Sequence, residues 1–377
     1  IRDLALGRNE NENKFVKGLM QSEMSISPVT EDIVSLGASA AAQILDEKDK
    51  KNIDMVIVGT ESGVDQSKAS AVFIHHLLNI QPFARCIEIK EACYGATAAL
   101  SFAKNYIEKN NDASVLVIAS DIARYGIDTP GESTQGAGSV AMLIKKDPAI
   151  AVINDENVCQ TRDIMDFWRP NYSDFPYVDG HFSTKQYLDC LTTTFEEYKK
   201  RYSQSLDDFD AFCFHLPFPK LGLKAINSIL EKNIKKEIKN DFLEKFHASI
   251  IYGKRVGNIY TGSLYLSLLS LLENCENLNG GDKIGMYSYG SGAVCEFFNL
   301  TLAEEFKNHL RCDRLNDFEN RKQLSMEEYE NMFFEKIVLD EEGNCDFSNN
   351  KFIQESDNSF VLAKIENHKR VYKKLNE

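Results

Sequence analysis

Some side chains with chemical capacity stand where short apolar runs end. Glu61 follows IDMVIVG, Cys93 follows ARCIEIKEA, His215 follows AFCF and Asn258 follows RVG. Ligands of open α/β sheets gather beyond the carboxyl ends of strands, so these residues are first candidates for a site. Cys93 lies in KEACYGATAAL, with helix-forming sequence just after it. A thiol at a helix N-terminus sees the positive end of the dipole, which lowers its pKa and favours the thiolate nucleophile. Glu61, in VGTESGVD, could act as a general base if burial raises its pKa. The plain alternatives are a buried structural thiol, a carboxylate capping a helix and a histidine satisfied in an apolar site.

Lys220 and Lys224 share one helical face just after His215. They could be a solvated surface pair or a face for a phosphorylated ligand. TQGAG at 134–138 and SYGSG at 288–292 are glycine turns, either simple connections or backbone N–H groups aimed at an oxyanion. Neither matches the P-loop or the GxGxxG fingerprint in its strand–helix context.

Alternating strands and helices must position these groups. Ser27-Pro28 predicts a helix start, with Glu31 and Asp32 in the first turn and Ile33 to Leu45 marking an apolar face. Strands are expected at 53–59, 84–90, 114–120 and 136–145, with helices at 67–78 and 93–107. In the second half, strands are expected at 211–214, 283–289 and 293–300. Helices are expected at 220–229, 242–251 and 259–272. GSVAMLIK at 138–145 and GAVCEFFN at 292–299 resemble each other, which suggests two halves built alike. Residues 155–182 read as a connecting loop. The tail after about 315 reads as charged, with one helix near 326–335 and little functional signal.

Composition narrows the class. Of 377 residues, 43% are hydrophobic and 27% charged, ordinary for a globular protein with a sizeable core. A net charge of −14 argues against a nucleic-acid or anionic-membrane binder. No apolar run approaches the ~20 residues that span a bilayer, and Ile1-Arg2-Asp3-Leu4 does not read as a signal peptide. Nine cysteines, none in a CxxC pair, speak against a structural zinc site and for a reducing, cytoplasmic compartment.

Several blocks stand in one order: VIVGTES, QPFARCIEIKEACYGAT, DIARYG, TQGAGSVAML, DFWRP, FPYVDG, FHLPFPK, RVGNIYTGSLYLSLLSLLEN and YSYGSGAV. In this order and spacing the chain resembles hydroxymethylglutaryl-CoA synthases, most like their bacterial branch, from about Glu23 to Leu300. The resemblance implies an α/β, thiolase-like fold of two similar βαβ-rich halves in five αβαβα layers, assembled as a homodimer. The halves would be 1–147, carrying Glu61 and Cys93, and 148–377, carrying His215 and Asn258. That family opens with a short strand ahead of the residue aligned with Ile1, so a trimmed end is expected here.

The same resemblance implies that acetyl-CoA and acetoacetyl-CoA condense through an acetyl-Cys93 intermediate, in the mevalonate route to isoprenoids. Cys93 would be the nucleophile, Glu61 the general acid/base and His215 the group facing acetoacetyl-CoA. Asn258 and Ser291 would line the acyl pocket. Thr134, Ser183, Lys220 and Lys224 would touch substrate or CoA, and Tyr125, Asp121 and Asp166 would support the catalytic groups. CoA thioesters are substrates, and no metal or other cofactor is expected. Within the same fold, a β-branching enzyme acting on carrier-protein-bound polyketide intermediates is the alternative, which Lys220 and Lys224 disfavour. A thiolase or ketoacyl synthase would pair the cysteine with His and a second Cys or His. A non-catalytic acyl-CoA-binding protein would be expected to lack one of Glu61, Cys93 or His215.

Overall fold

Period-two alternation along apolar strands decides how this chain layers itself. Its structure, a computed structural model, describes residues 1–375 apart from 231–233, 352 and 354–359. β1 (Ile53–Gly59), β2 (Arg85–Ile89), β3 (Ser114–Ala123) and β4 (Gly136–Ile144) form one sheet in the order β2-β1-β3-β4. β5 (Ala151–Thr161), β8 (Ala211–Phe214), β9 (Lys283–Gly290) and β10 (Val294–Leu302) form another, ordered β5-β10-β9-β8. β1 and β3 run parallel and β4 turns back antiparallel. β8, β9 and β10 repeat that pattern, which is the internal echo expected from the sequence. A hairpin of β6 (Phe167–Trp168) and β7 (Tyr177–Val178) stands apart. β11 (Cys345–Asp346), β12 (Phe360–Glu366) and β13 (Lys369–Lys374) form a third sheet in the tail.

Helices fill the remaining layers. α1 (Arg2–Gly7) comes first, then α2 (Ile33–Ala42), α3 (Glu47–Asn52) and α4 (Ser70–Leu77). α5 (Gly95–Lys109) follows β2, and α6 (Gly180–Tyr202), α7 (Pro219–Ile229) and α8 (Lys236–Ser249) surround β8 in sequence. α9 (Gly253–Val256) and α10 (Ser263–Asn274) precede β9, while α11 (Arg314–Glu319) and α12 (Met326–Phe334) belong to the tail.

Met55, Ile57, Val115 and Val117 face inward onto Ala96, Ala99 and Ala103 of α5 and Leu264 and Leu271 of α10. Cys213, Ile284 and Met286 of the second sheet close that layer from the other side. The intervening Val56, Val58, Leu116 and Ile118 face outward onto α2 and α4. Phe212, Phe214 and Phe297 face the opposite surface, under α6, α7 and α8. The result is five layers, helix, sheet, helix, sheet, helix, as expected. Phe297, fully buried, lies 4.9 Å from the Tyr198 ring and 5.0 Å from that of Phe195. Truncating such a ring to alanine costs about 3–5 kcal/mol.

Several sequence expectations need correction. The first long helix starts at Ile33, not at Ser27-Pro28, because the Asp32 side chain caps it by accepting from the Val34 and Ser35 N–H groups. It also stops at Ala42, leaving Ile44 44% exposed. The helix expected at 259–272 is broken by a 3₁₀ turn at Tyr260–Gly262, where the Asn258 and Ser263 side chains intercept backbone groups. Residues 155–182 are not one loop, since β5 runs to Thr161 and α6 begins at Gly180. The tail holds a sheet as well as α12.

Candidate active site

Asp121 is the fixed point of the site. It is fully buried on β3, and its carboxylate accepts from both halves. Oδ1 takes the Thr60 hydroxyl at 2.8 Å, the Glu61 N–H at 2.9 Å and the Ser62 hydroxyl at 2.8 Å. Oδ2 takes the Thr261 hydroxyl at 2.5 Å and its N–H at 3.1 Å. Burial raises its pKa, and the hydroxyls of Thr261, Ser62 and Thr60 oppose that. The carboxylate thereby sets the backbone that presents Glu61 just beyond β1.

Cys93 meets Glu61 directly, its Sγ donating to Glu61 Oε1 at 3.3 Å. Burial and the nearby Asp121 charge push Glu61 up to about 8, while the Cys93 hydrogen bond and the Arg169 charge pull the other way. Burial also holds the Cys93 thiol well above its ordinary value, helped by Glu61 and Asp121. This departs from the lowering expected at a helix N-terminus. α5 begins only at Gly95, and carboxylates beside the sulfur outweigh the dipole. The free thiol thus needs a base, and Glu61 is in reach. Ala92, just before it, holds φ at 41°, a left-handed conformation that costs a non-glycine residue about 1–2 kcal/mol.

His215 follows β8 and is 2% exposed. Its backbone is held at both ends: its N–H donates to the Tyr287 carbonyl and its carbonyl accepts from the Tyr187 hydroxyl, both at 2.8 Å. Burial lowers its pKa to about 3, so the ring is neutral near pH 7. Ring Nδ1 has no hydrogen-bond partner. A neutral imidazole with an unpartnered nitrogen suits a polar substrate atom.

Asn258, Tyr125 and Thr134 form one wall. The Asn258 side-chain amide donates to the Tyr125 hydroxyl at 2.7 Å, and its backbone N–H donates to the Thr134 carbonyl at 2.9 Å. Gly257 makes the second contact possible: at φ +90°, a Cβ there would lie 2.0 Å from the Gln135 carbonyl oxygen. The rings of Tyr125, Phe167 and Tyr260 meet edge-on at 6.0–6.1 Å, an aromatic wall that excludes water.

Asp166, fully buried, organises the opposite side. Its Oδ2 accepts from Ser183 at 3.0 Å and Tyr289 at 2.8 Å, and its Oδ1 from the Gly292 N–H at 3.0 Å. The SYGSG turn carrying Ser291 is thus pinned beside Ser183. Gly290 lets this turn press on the loop that carries Cys93, since a Cβ there would lie 2.6 Å from the Glu91 carbonyl oxygen.

Lys220 and Lys224 stand on α7, which starts four residues after His215. Neither enters an ion pair or hydrogen bond among the described residues, and Lys224 is exposed. Sequence reasoning missed Arg169, whose guanidinium donates to the Glu61 carbonyl, and Thr261, which binds Asp121. Arg169 lies in DFWRP and Thr261 in RVGNIYTGS, where no local pattern marks either residue. Among the described residues no three His, Cys, Asp or Glu gather to hold a metal ion. No described helix is long and apolar enough to cross a membrane. A cleft of about 1790 Å³ runs along β4 and β5, and Glu61, Cys93 and His215 do not line it.

Residues 3–149 match the family model for the hydroxymethylglutaryl-coenzyme A synthase N-terminal part. Residues 152–237 and 226–375 match the model for the C-terminal part. The chain is 49% identical to the hydroxymethylglutaryl-CoA synthase of Enterococcus faecalis, over 89% of this chain and 88% of that protein. It is 33% identical to the polyketide biosynthesis 3-hydroxy-3-methylglutaryl-ACP synthase PksG of Bacillus subtilis, over 88% and 84%. A solved HMG-CoA synthase complexed with CoA superposes with a TM-score of 0.96 at 56% identity, covering 99% of this chain and 95% of that one.

Proposed function

The chain belongs to the hydroxymethylglutaryl-CoA synthase family, and on that premise we propose that Cys93, Glu61 and His215 condense acetyl-CoA with acetoacetyl-CoA. It is an acyl-condensing enzyme with a thiolase-like fold. The observation that carries the residue roles is the Cys93 thiol donating, at 3.3 Å, to a carboxyl held near pKa 8.

Glu61 takes the thiol proton as Sγ attacks the acetyl carbonyl carbon. The carbon–sulfur bond to CoA breaks, and Glu61 returns the proton to the departing CoA sulfur. Acetyl-Cys93 remains. Glu61 then removes a methyl proton, and the enolate carbon attacks C3 of acetoacetyl-CoA. His215 hydrogen-bonds that ketone oxygen, and protonated Glu61 neutralises the new alkoxide. Water splits the Cys93 thioester, giving its hydroxyl to the product carboxyl and its proton to sulfur. Backbone N–H groups at Cys93 and in the SYGSG turn near Ser291 hold the oxyanions. A carboxyl near pKa 8 suits this double duty, because it can both accept and release a proton near neutral pH.

Tyr125, Thr134, Asn258, Ser183 and Ser291 would shape the acyl pocket, with Asp121 and Asp166 as their supports. Lys220 and Lys224 would meet CoA phosphates, and CoA thioesters serve as substrates with no separate cofactor. The higher identity to the CoA-dependent relative than to the carrier-protein-dependent one supports free CoA as the acyl carrier. We assign the halves to 1–147 and 148–377 and place the protein in the cytoplasm as a homodimer. The edge of β2, with Phe83 91% and Ile87 40% exposed, is a suitable dimer face.

The test follows acetoacetyl-CoA consumption with and without acetyl-CoA, identifying the product and the acyl state of Cys93 by mass. Loss that depends on acetyl-CoA and yields HMG-CoA supports the reading. Acetylation of Cys93 without consumption of acetoacetyl-CoA would move the acceptor to a carrier protein. The absence of both events would overturn the catalytic reading.

A further inference from the structure

The acyl-pocket wall is tied to the chain's far ends by a buried polar network. Glu132, Gln135 and Tyr329 are each 3% exposed. The Tyr329 hydroxyl, on α12, donates to Glu132 Oε1 at 2.9 Å and accepts from Gln135 Nε2 at 3.0 Å. Gln135 Oε1 in turn accepts the Tyr125 N–H at 2.8 Å and the Gly126 N–H at 3.3 Å. Glu132 Oε2 accepts the Asp128 N–H at 2.7 Å, and Arg8, just after α1, holds the same carboxylate through Nε at 3.0 Å and Nη2 at 2.8 Å. Arg8 also reaches Glu330 on α12 at 2.5 Å. The carboxylate therefore has its charge paired and its lone pairs satisfied, which is what allows it to stay buried.

α12 grips a second segment of the site. The Arg124 guanidinium lies 4.5 Å over the Phe333 ring and donates to the Phe333 carbonyl. Phe175, in the loop between β6 and β7, stacks on that ring at 6.1 Å and 5°. Gly131 lies flush on the Tyr125 ring, where a Cβ would come within 2.9 Å of Cγ. The loop from Tyr125 to Gln135 thus touches the acyl pocket with one surface and α12 with the other.

We infer that Tyr329 and Glu132 are positioning residues for the reaction: through Gln135 they set the backbone of Tyr125, and with it the hydroxyl that Asn258 engages. This rests on the reading of Tyr125 as part of the active site. Replacing the Tyr329 hydroxyl leaves Gln135 Nε2 without its partner. The side chain is then free to turn, and the Tyr125 and Gly126 amides lose their acceptor. The lysine face on α7, proposed to meet the CoA phosphates, is outside the network, so binding of the CoA moiety is untouched.

Tyr329→Phe keeps the ring and removes only the hydroxyl. Loss of one such buried hydrogen bond predicts a kcat about tenfold lower, with KM for both thioesters unchanged. In a cycle with Tyr125→Phe, the double variant should be no slower than Tyr125→Phe alone, because the effect passes through Tyr125. Hydrogen exchange in the peptide covering 122–136 should quicken at Tyr125 and Gly126. Additive losses in the cycle, an unchanged kcat, or unchanged exchange would each overturn the inference. A wild-type protein that makes no HMG-CoA would sink the functional reading instead, and the exchange measurement would still decide whether α12 sets this loop.

Discussion

Cys93 Sγ gives its hydrogen bond to Glu61 Oε1 at 3.3 Å, so one proton is shared between thiol and carboxyl. The Glu61 charge helps to hold the Cys93 thiol up, while the thiol's hydrogen bond lowers the Glu61 carboxyl, since two negative charges side by side are unfavourable. Removing Glu61 therefore has two opposed effects on acetylation: the base is lost, but the charge that holds the thiol up is lost with it. Glu61→Ala should keep Cys93 acetylation within about tenfold of wild type, while condensation, which has no such compensation, falls by ~10²–10⁴. Mass spectrometry of the acyl-enzyme beside steady-state turnover separates the two. Condensation near the wild-type rate would remove Glu61 from the carbon–carbon step.

Arg169 tunes that base. Its charge lowers the Glu61 pKa, and its guanidinium holds the Glu61 carbonyl. Arg169→Met should raise the Glu61 pKa further above its value near 8 and shift the acid limb of the kcat profile to higher pH. Arg169→Lys keeps the charge and should restore much of the profile. An acid limb that stays in place in Arg169→Met would show that the arginine acts on geometry alone.

Glu61, Cys93, His215 and Asn258 were legible as candidates because they sit where short apolar runs end. IDMVIVG is apolar on both faces, so it reads as a central strand and Glu61 follows from that, whereas Asp121 was indicated only by the family resemblance. α6 was not legible, although Tyr187, Cys190, Leu191, Thr194, Phe195 and Tyr198 trace a helical stripe. Four of those six are Tyr, Thr or Cys, and polar residues surround the stripe, so the period was hidden. Residue partnerships were less legible still. Nothing local in GESTQ or MEEYEN indicates which distant group a side chain will meet. Tyr329 and Glu132 are 197 residues apart and meet only because the tail returns to the site.

His215 predicts an acid sensitivity with a definite sign. Its folded pKa of about 3 lies below its ordinary value of 6.5. Between those values the unfolded chain binds a proton that the folded chain refuses, so stability rises with pH in this window. Its contribution is present above pH 6.5 and is lost as pH falls towards 3. His215→Gln should make the melting temperature fall less steeply from pH 6.5 to 4 than in wild type. An identical slope would mean the imidazole is solvated in solution. In turnover the same variant should mainly impair use of acetoacetyl-CoA, leaving Cys93 acetylation intact.

Lys220 and Lys224 separate free CoA from a carrier protein. Among the described residues these two ammonium groups on one face of α7 have no ion-pair partner, and on the proposed reading they would attract the CoA phosphates, an attraction that salt screens. Lys224→Glu reverses one charge at an exposed position, which leaves the fold undisturbed. It should raise KM for acetoacetyl-CoA several-fold at low ionic strength. The gap to wild type should narrow at high salt, and kcat should hold. Acetoacetyl-pantetheine, which lacks the nucleotide phosphates, should show the same KM with both proteins. An equal rise for both thioesters would place Lys224 at the acyl chain rather than the phosphates. No rise for either would remove the lysine pair from CoA binding and favour an acceptor carried by a protein.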